Sequence, residues 1–319
     1  MHSIGIDLGG TIVKVGLIEN GRITGFMSFD ANSGKGLSAN LPCIEKAIDK
    51  LTGEAGIAPS NLSGIGLAFP GIVDPVKKKV ISTNGKYDDV CDLQLDKWVL
   101  EKWNIPFDID NDARLATLGE WKYGAAKGCD NVVMMTIGTG IGTGVVIDGT
   151  ILYGQHFQAG SLGGHFVVDY KARKCTCGNI GCVEALSSSF FLSSIVRDNE
   201  FVSEAFKAKA DEYDFKQIFE QSKAGSKDAT IIRNECMDVW SAGIINYIHA
   251  YDPEVIVLGG GVMRSEDTII PYLKKRVDSL AWCPSGKVKL VVSVLGDNAA
   301  ILGIEHLIKA KKLMAGVKR

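Results

Sequence analysis

"TIGTGIGTGVVIDG", residues 136–149, reads as strand, glycine-rich turn, strand and acidic-glycine turn; "DLGGTIVKVGLIENG", residues 7–21, reads the same way. Laid side by side, Asp7 falls on Thr136, Gly9 on Gly138, Ile12 on Ile141, Ile18 on Ile147 and Glu19 on Asp148, each 129 positions later. Five pairs at one spacing predict a duplicated β-hairpin unit rather than two unrelated glycine turns. Asn20–Gly21, between "TIVKVGLIE" and "RITGFMSFD", is a strong hairpin signal and predicts a third strand.

The surroundings are α/β. "LPCIEKAIDKLTGEAG" has apolar residues at helical spacing and stops at a glycine, and "SGIGLAFPGIVD" is an apolar strand entering a Pro-Gly turn. "IPFDIDNDARLATLGEWKYG" is a strand followed by a helix, with Asn111 and Asp112 at the junction. Beyond about Ser187 the chain reads as helical as far as Ala250. "PEVIVLGGGVM" and "KVKLVVSVL" are then strands, and "GDNAAILGIEHLIKAKK" is a closing helix whose lysines suit the negative end of its dipole.

Composition narrows the class. The chain has 319 residues, 46% apolar and 23% charged, long enough for two domains of a globular protein. A net charge of −2 gives no footprint for nucleic acid or an anionic membrane surface. There is no run of 18 apolar residues and no signal-peptide pattern in "MHSIGIDLGG", so a cytoplasmic protein without membrane partners is expected. Cys43, Cys91, Cys129, Cys236 and Cys283 are scattered and are expected to be reduced, buried small residues.

Five stretches carry chemistry. In "DLGGT" glycines let the backbone approach a ligand, Asp7 suits a hydrated Mg²⁺ and Thr11 a phosphate; a tight hairpin with a capping Asp is the bland alternative. "TIGTGIGTG" has the same character. It lacks the helix of a dinucleotide fingerprint and the Gly-Lys-Ser/Thr of a Walker loop. "LGGGV", residues 258–262, follows a strand and opens a helix, where a flat group such as adenine can lie on the backbone, although a packing turn would look the same. In "DIDND" Asp110 and Asp112 would face one side if the strand continued, and Asp112 could deprotonate an alcohol; Asp or Asn there also suits an N-cap. His165, Cys175, Cys177 and Cys182 form a Cys3His set suited to closed, structural zinc, with free thiols as the competing reading.

In order along the chain, "DLGGT", "FPGIVD", "NDA", "TIGTGIGTG", "CTCGNIGCVE" and "LGGG" resemble the ROK family of sugar kinases and sugar-responsive repressors. The resemblance implies an α/β fold of two ribonuclease H-like (actin-like ATPase) domains with a cleft between them and a zinc-binding loop. Residues 1–113 would form the N-terminal domain, with 301–319 as a closing helix packing back on it, and 114–300 the larger C-terminal domain. It implies Mg²⁺·ATP at Asp7, Gly9, Gly10, Thr11 and Lys14, at Gly138, Thr139 and Gly140, and at Gly259, Gly260 and Gly261. Asp112 would be the catalytic base. Gly71, Asn84, Asn111, Asp112, His165 and Glu184 would meet a monosaccharide, with His165 also a zinc ligand. A homodimer or homotetramer is implied.

The implied activity is ATP-dependent phosphorylation of a hexose, glucokinase-like, at the C6 hydroxyl. N-acetylmannosamine or fructose are alternative acceptors, and a catalytically weak sugar-binding protein is the competing class. A repressor of the same family would need a DNA-binding domain ahead of a strand that already begins by Ile4, so that class is not expected. One departure stands out. The family's Glu-x-Gly-His is "SLGGH" here, with Ser161 or Leu162 where the sugar-contacting Glu belongs. A lost carboxylate forfeits charge-assisted hydrogen bonds worth roughly 1.5–3 kcal/mol each.

Overall fold

The computed structural model describes residues 1–83 and 85–317. Contacts divide the chain into two units, Met1–Gly128 with Ile151–Ala159 and Val294–Arg319, and Cys129–Thr150 with Gly160–Ser293. Among the described residues no helix is long and apolar enough to cross a membrane.

The first unit holds strands β1 (His2–Leu8), β2 (Ile12–Glu19) and β3 (Arg22–Asp30), helix α1 (Leu41–Glu54), then β4 (Leu62–Phe69) and the short β5 (Ile72–Asp74) and β6 (Lys79–Ser82). Helix α2 (Leu95–Trp103), β7 (Phe107–Asn111) and α3 (Asp112–Tyr123) follow. The main sheet has the order β3-β2-β1-β4-β7; β5 and β6 pair separately. β1–β3 form an antiparallel meander, whereas β4 and β7 join parallel. The parallel strands β1 and β4 are buried on both faces, and β3 alternates, as an edge strand with one wet face does.

The second unit repeats this plan. It contains β8 (Val132–Ile137), β9 (Ile141–Ile147), the start of β10 (Thr150–Ile151), α4 (Val183–Ser187), α5 (Leu192–Asp198), α6 (Glu204–Lys207), α7 (Phe215–Lys223) and α8 (Lys227–Tyr251). β11 (Val255–Gly259), α9 (Glu266–Leu280) and β12 (Lys289–Val292) complete it, in the sheet order β10-β9-β8-β11-β12. The last helix, α10 (Ala299–Val317), belongs to the first unit.

The duplication is present, but its register is not uniform. β1 pairs Asp7 with Lys14, while β8 pairs Thr136 with Gly142, one residue nearer. The spacing of 129 therefore holds along β1 and β8 and becomes 128 along β2 and β9. At 128 the burial patterns of Val13–Glu19 and Ile141–Ile147 coincide. The turns then superpose as well: Asn20 and Gly21 (φ 51° and 80°) answer Asp148 and Gly149 (φ 50° and 67°). The pairs Ile12/Ile141, Ile18/Ile147 and Glu19/Asp148 are thus one residue out, because the second glycine loop is one residue shorter.

The boundary expected after residue 113 lies instead at Gly128. Helix α3 stays with the first unit because it packs on α10 at backbone distance. A Cβ on Gly119 would collide with the Ala299 carbonyl, and one on Gly303 with the Leu115 carbonyl. Residues 151–159 also return to the first unit. Among the scattered cysteines Cys236 is buried, but Cys43 and Cys91 are exposed and Cys129 and Cys283 only half-buried; none is in a disulfide among the described residues. Cys43 lies on an outward position of the amphipathic α1, whose buried face is Ile44, Ala47, Ile48 and Leu51.

Candidate active site

Parallel pairing aligns Asp7 with Ala68 and Ala68 with Asp110, so the loops after β1, β4 and β7 emerge at one sheet edge. Ligands of open α/β sheets bind at such carboxyl ends. The loop after β1 is Gly9–Thr11. Its carbonyls are taken: the Tyr87 hydroxyl donates to Gly9 O (2.6 Å), Ser33 Oγ to Gly10 O (2.8 Å) and Ala31 N to Thr11 O (2.8 Å). The N–H groups of Gly10 and Thr11 donate to no described residue. The loop borders a cavity of about 600 Å3 reaching to Asp30–Lys35. Lys14 Nζ lies 3.5 Å from Asp7 Oδ2 and 3.3 Å from Asp297 O. Burial pushes the Asp7 carboxyl up, against the lowering pull of Lys14.

At the end of β7 the N-cap is Asn111, not Asp112. Asn111 Oδ1 accepts from Arg114 N (3.0 Å), while its amide donates to Gly71 O and to Asp112 Oδ1, each at 3.0 Å. Asp112 is the first residue of α3, and its Oδ1 also accepts from Ala113 N (2.8 Å). No described residue donates to Oδ2. One oxygen is held and the other is left for chemistry. Desolvation, then the nearby Asp7 charge, push the Asp112 carboxyl up to about 6. Asp110 takes no part at this edge. It is fully buried against Arg114 (2.6 Å) and accepts from the Tyr153 hydroxyl (2.8 Å). Arg114 also donates to Phe157 O (3.1 Å) and stacks on the Tyr153 ring, 4.6 Å from its centroid, which ties residues 151–159 to the base of α3.

Neither partner of this ion pair has any exposed side-chain surface. Arg114→Met should therefore cost about 3–5 kcal/mol by leaving Asp110 charged without its counter-ion. The urea midpoint reads this directly, and a Asp110→Leu/Arg114→Met double variant should recover part of the loss.

The second glycine loop is built like the first. Gly138 O accepts from Ser189 N and Thr139 O from Phe190 N, each at 3.0 Å, and the N–H groups of Thr139 and Gly140 donate to no described residue. Glu184, on α4, accepts from Ile141 N through Oε2 (2.9 Å) and so fastens α4 to this loop. Gly260 (φ 90°) crosses the end of β8, where any Cβ would strike the Ile137 backbone. Gly259 closes β11; Gly261 has open space where its Cβ would be.

His165, Cys175, Cys177 and Cys182 come together: their ligand atoms all lie within 4.8 Å of one another. His165 Nδ1 is 3.6 Å from Cys175 Sγ, and Cys177 Sγ is 3.7 Å from Cys182 Sγ. Tetrahedral zinc with Zn–S near 2.3 Å spaces sulfurs about 3.8 Å apart, so the donor set fits that ion. Bridges Val167–Cys182 and Lys174–Ile180 hold the loop. Leu162 caps the short turn of Gly163–His165, its carbonyl accepting from His165 N (2.9 Å), and residues 160–164 contain no carboxylate. Asn84 lies outside the described residues.

The family model described as "ROK family" matches residues 3–311. The chain belongs to the ROK family. It is 30% identical over 315 residues to a glucokinase of Thermotoga maritima, covering 97% of both chains. It is 28% identical over 313 residues to the xylose repressor of Bacillus subtilis, covering 96% of this chain and 77% of the repressor. A ROK hexokinase structure from Thermus thermophilus is similar with a TM-score of 0.77 at 27% identity, over 95% of this chain and 96% of that one. The motifs that resemble the family include the glycine loops and the Cys3His cluster. They give no hint of Tyr87, Ser33 or Tyr153, nor of the Asp110–Arg114 pair, whose four-residue spacing is the one local signal that could have suggested it.

Proposed function

We propose that this ROK protein phosphorylates a hexose at its C6 hydroxyl, with Asp112 as general base. It is an ATP-dependent sugar kinase. The observation that carries the assignment of the base is the state of Asp112: one oxygen fixed by Asn111 and Ala113, the other unengaged, on the sheet edge that also presents the Gly10 and Thr11 amides. Asp112 takes the hydroxyl proton as the sugar oxygen attacks the γ-phosphorus of ATP, and ADP leaves. Gly10 and Thr11, and Thr139 and Gly140, offer amides for phosphate oxygens, and the Gly259–Gly261 turn offers a flat backbone for adenine. Asp7 suits the water shell of Mg²⁺, which when bound neutralises charge on the phosphates.

Gly71 and Asn111 act on the sugar through the backbone frame they share, since the Asn111 amide is already committed to Gly71 O. Asn84, His165 and Glu184 keep the sugar-contact roles the family implies, and zinc would fix the loop carrying the last two. Glucose is the first candidate acceptor. "SLGGH" supports wider acceptance, N-acetylmannosamine or fructose included, because neither Ser161 nor Leu162 can supply the carboxylate. An ADP-release assay with Mg²⁺·ATP over hexoses and N-acetylhexosamines should show turnover with at least one. Silence with all of them would favour a sugar-binding protein on the kinase scaffold.

A further inference from the structure

Lys86 lies in the turn that carries the chain from β6 into the first unit's core. Its backbone donates to Thr83 O (3.1 Å), and the next residue, Tyr87, is buried in a left-handed conformation (φ 56°) with its hydroxyl anchored on Gly9 O. The anchor aims the half-buried Lys86 at the glycine loop. A Cβ placed on Gly10 would lie 3.1 Å from both Cε and Nζ of Lys86, so the ammonium sits beside the Gly10 backbone. A second cation near this loop, Lys14, is already engaged by Asp7 and Asp297, and Lys35 lines the far side of the adjoining cavity. Lys86 makes no ion pair or side-chain hydrogen bond with any described residue. Beside it are two peptide N–H groups, of Gly10 and Thr11, that also lack acceptors. An unpaired ammonium next to two unpaired amides is a donor set for a polyanion.

We propose that Lys86 binds the phosphoryl group in transit, holding its oxygens while that group passes from ATP to the sugar. The proposal rests on the kinase reading above and extends it to a residue outside the family's motifs. The step is balanced without proton transfer at Lys86. The sugar oxygen forms a bond to the γ-phosphorus, the bond to the β-phosphate oxygen breaks with its electrons leaving on ADP, and the proton goes to Asp112. Lys86 stays an ammonium throughout, donating hydrogen bonds to oxygens whose charge builds as the transfer proceeds. Its charge has a second effect. The charged groups that act on Asp112 are Asp7, which raises its pKa, and Lys86, which lowers it.

The test uses the full chain with Mg²⁺ and compares wild type with Lys86→Met and Lys86→Arg. Calorimetry measures the affinity for a non-hydrolysable ATP analogue relative to ADP, a ratio that isolates the terminal phosphate. Lys86→Met should lower that ratio roughly tenfold or more, the size of a lost charge-assisted contact. Lys86→Arg, which keeps the charge, should restore most of it. With a turned-over sugar, Lys86→Met should also lower kcat about 10- to 100-fold at unchanged sugar KM and move the acid limb of the pH profile upward. A folded Lys86→Met protein with an unaltered analogue-to-ADP ratio would overturn the proposal. If wild type turned over no sugar at all, the kinase reading would fall alone, because the binding ratio still decides the role of Lys86.

Discussion

Asp112→Asn should lower kcat by about 10²–10⁴-fold while leaving the protein folded, as expected when a positioned general base is removed. The substitution is close to isosteric. An Asn oxygen can still accept from Ala113 N and from the Asn111 amide, so the start of α3 is kept. What disappears is the basic oxygen. Near-full turnover by this variant would rule out the assigned mechanism. The wild-type profile carries a second, independent signature. Burial and the Asp7 charge raise the Asp112 carboxyl from its ordinary 3.8 to about 6. Activity should therefore fall nearly tenfold per pH unit below about 6 and level off above it, where the base is ionised. The same shift has a stability consequence of opposite sense. The folded state holds the Asp112 proton more tightly than the unfolded state does, so stability declines as pH rises through that window. At pH 7 Asp112→Asn should accordingly melt at or above the wild-type temperature, which separates lost chemistry from lost fold.

Purified protein should carry about one zinc per chain, and Cys182→Ser should abolish most of it. Cys182 is the buried sulfur that both pairs with Cys177 and immediately precedes α4, the helix bearing Glu184. Structural zinc sites contribute folding free energy outright; about 10–16 kcal/mol is the apparent binding term in isolated zinc peptides. Within a folded unit part of this is retained by packing, so a loss of about 3–5 kcal/mol, or roughly 6–20 °C in Tm, is expected. Activity should fall with it, since Glu184 fastens the second glycine loop through Ile141 N. Metal analysis beside thermal melts checks both halves. Much less than one zinc per wild-type chain, at full stability, would remove the ion from this account.

The cysteine cluster was legible because ligand spacing is local; four donors within eighteen positions need no long-range knowledge to be grouped. The hairpin duplication was legible because a glycine loop between two apolar strands leaves a pattern in sequence. The one-residue change of register was not, since a shortened loop shifts the second strand without altering its composition. The boundary was misplaced at residue 113 because α3 has the look of a helix beginning a new unit. Its allegiance is set by Gly119 meeting Ala299 of α10, and by Gly303 of α10 meeting Leu115, contacts across most of the chain that no local pattern encodes. Asn111 and Asp112 share the cap preference, and only hydrogen-bond geometry tells which one caps and which is left for chemistry. Lys86 was invisible for the same reason: it is aimed by Tyr87 reaching Gly9, a contact across 78 positions.

Helix α10 leaves the ribosome after every other described element, and it completes the unit whose sheet is made first. Until it emerges, Gly5, Gly16 and Gly66 face no Ile301 or Ile304, and the sheet of β1, β2 and β4 has one bare face. The nascent chain must therefore carry an unfinished N-terminal half through synthesis of the whole second unit. Chaperone dependence and aggregation during translation should concentrate in that interval, and a ribosome stalled before Ala299 would display a half that cannot close.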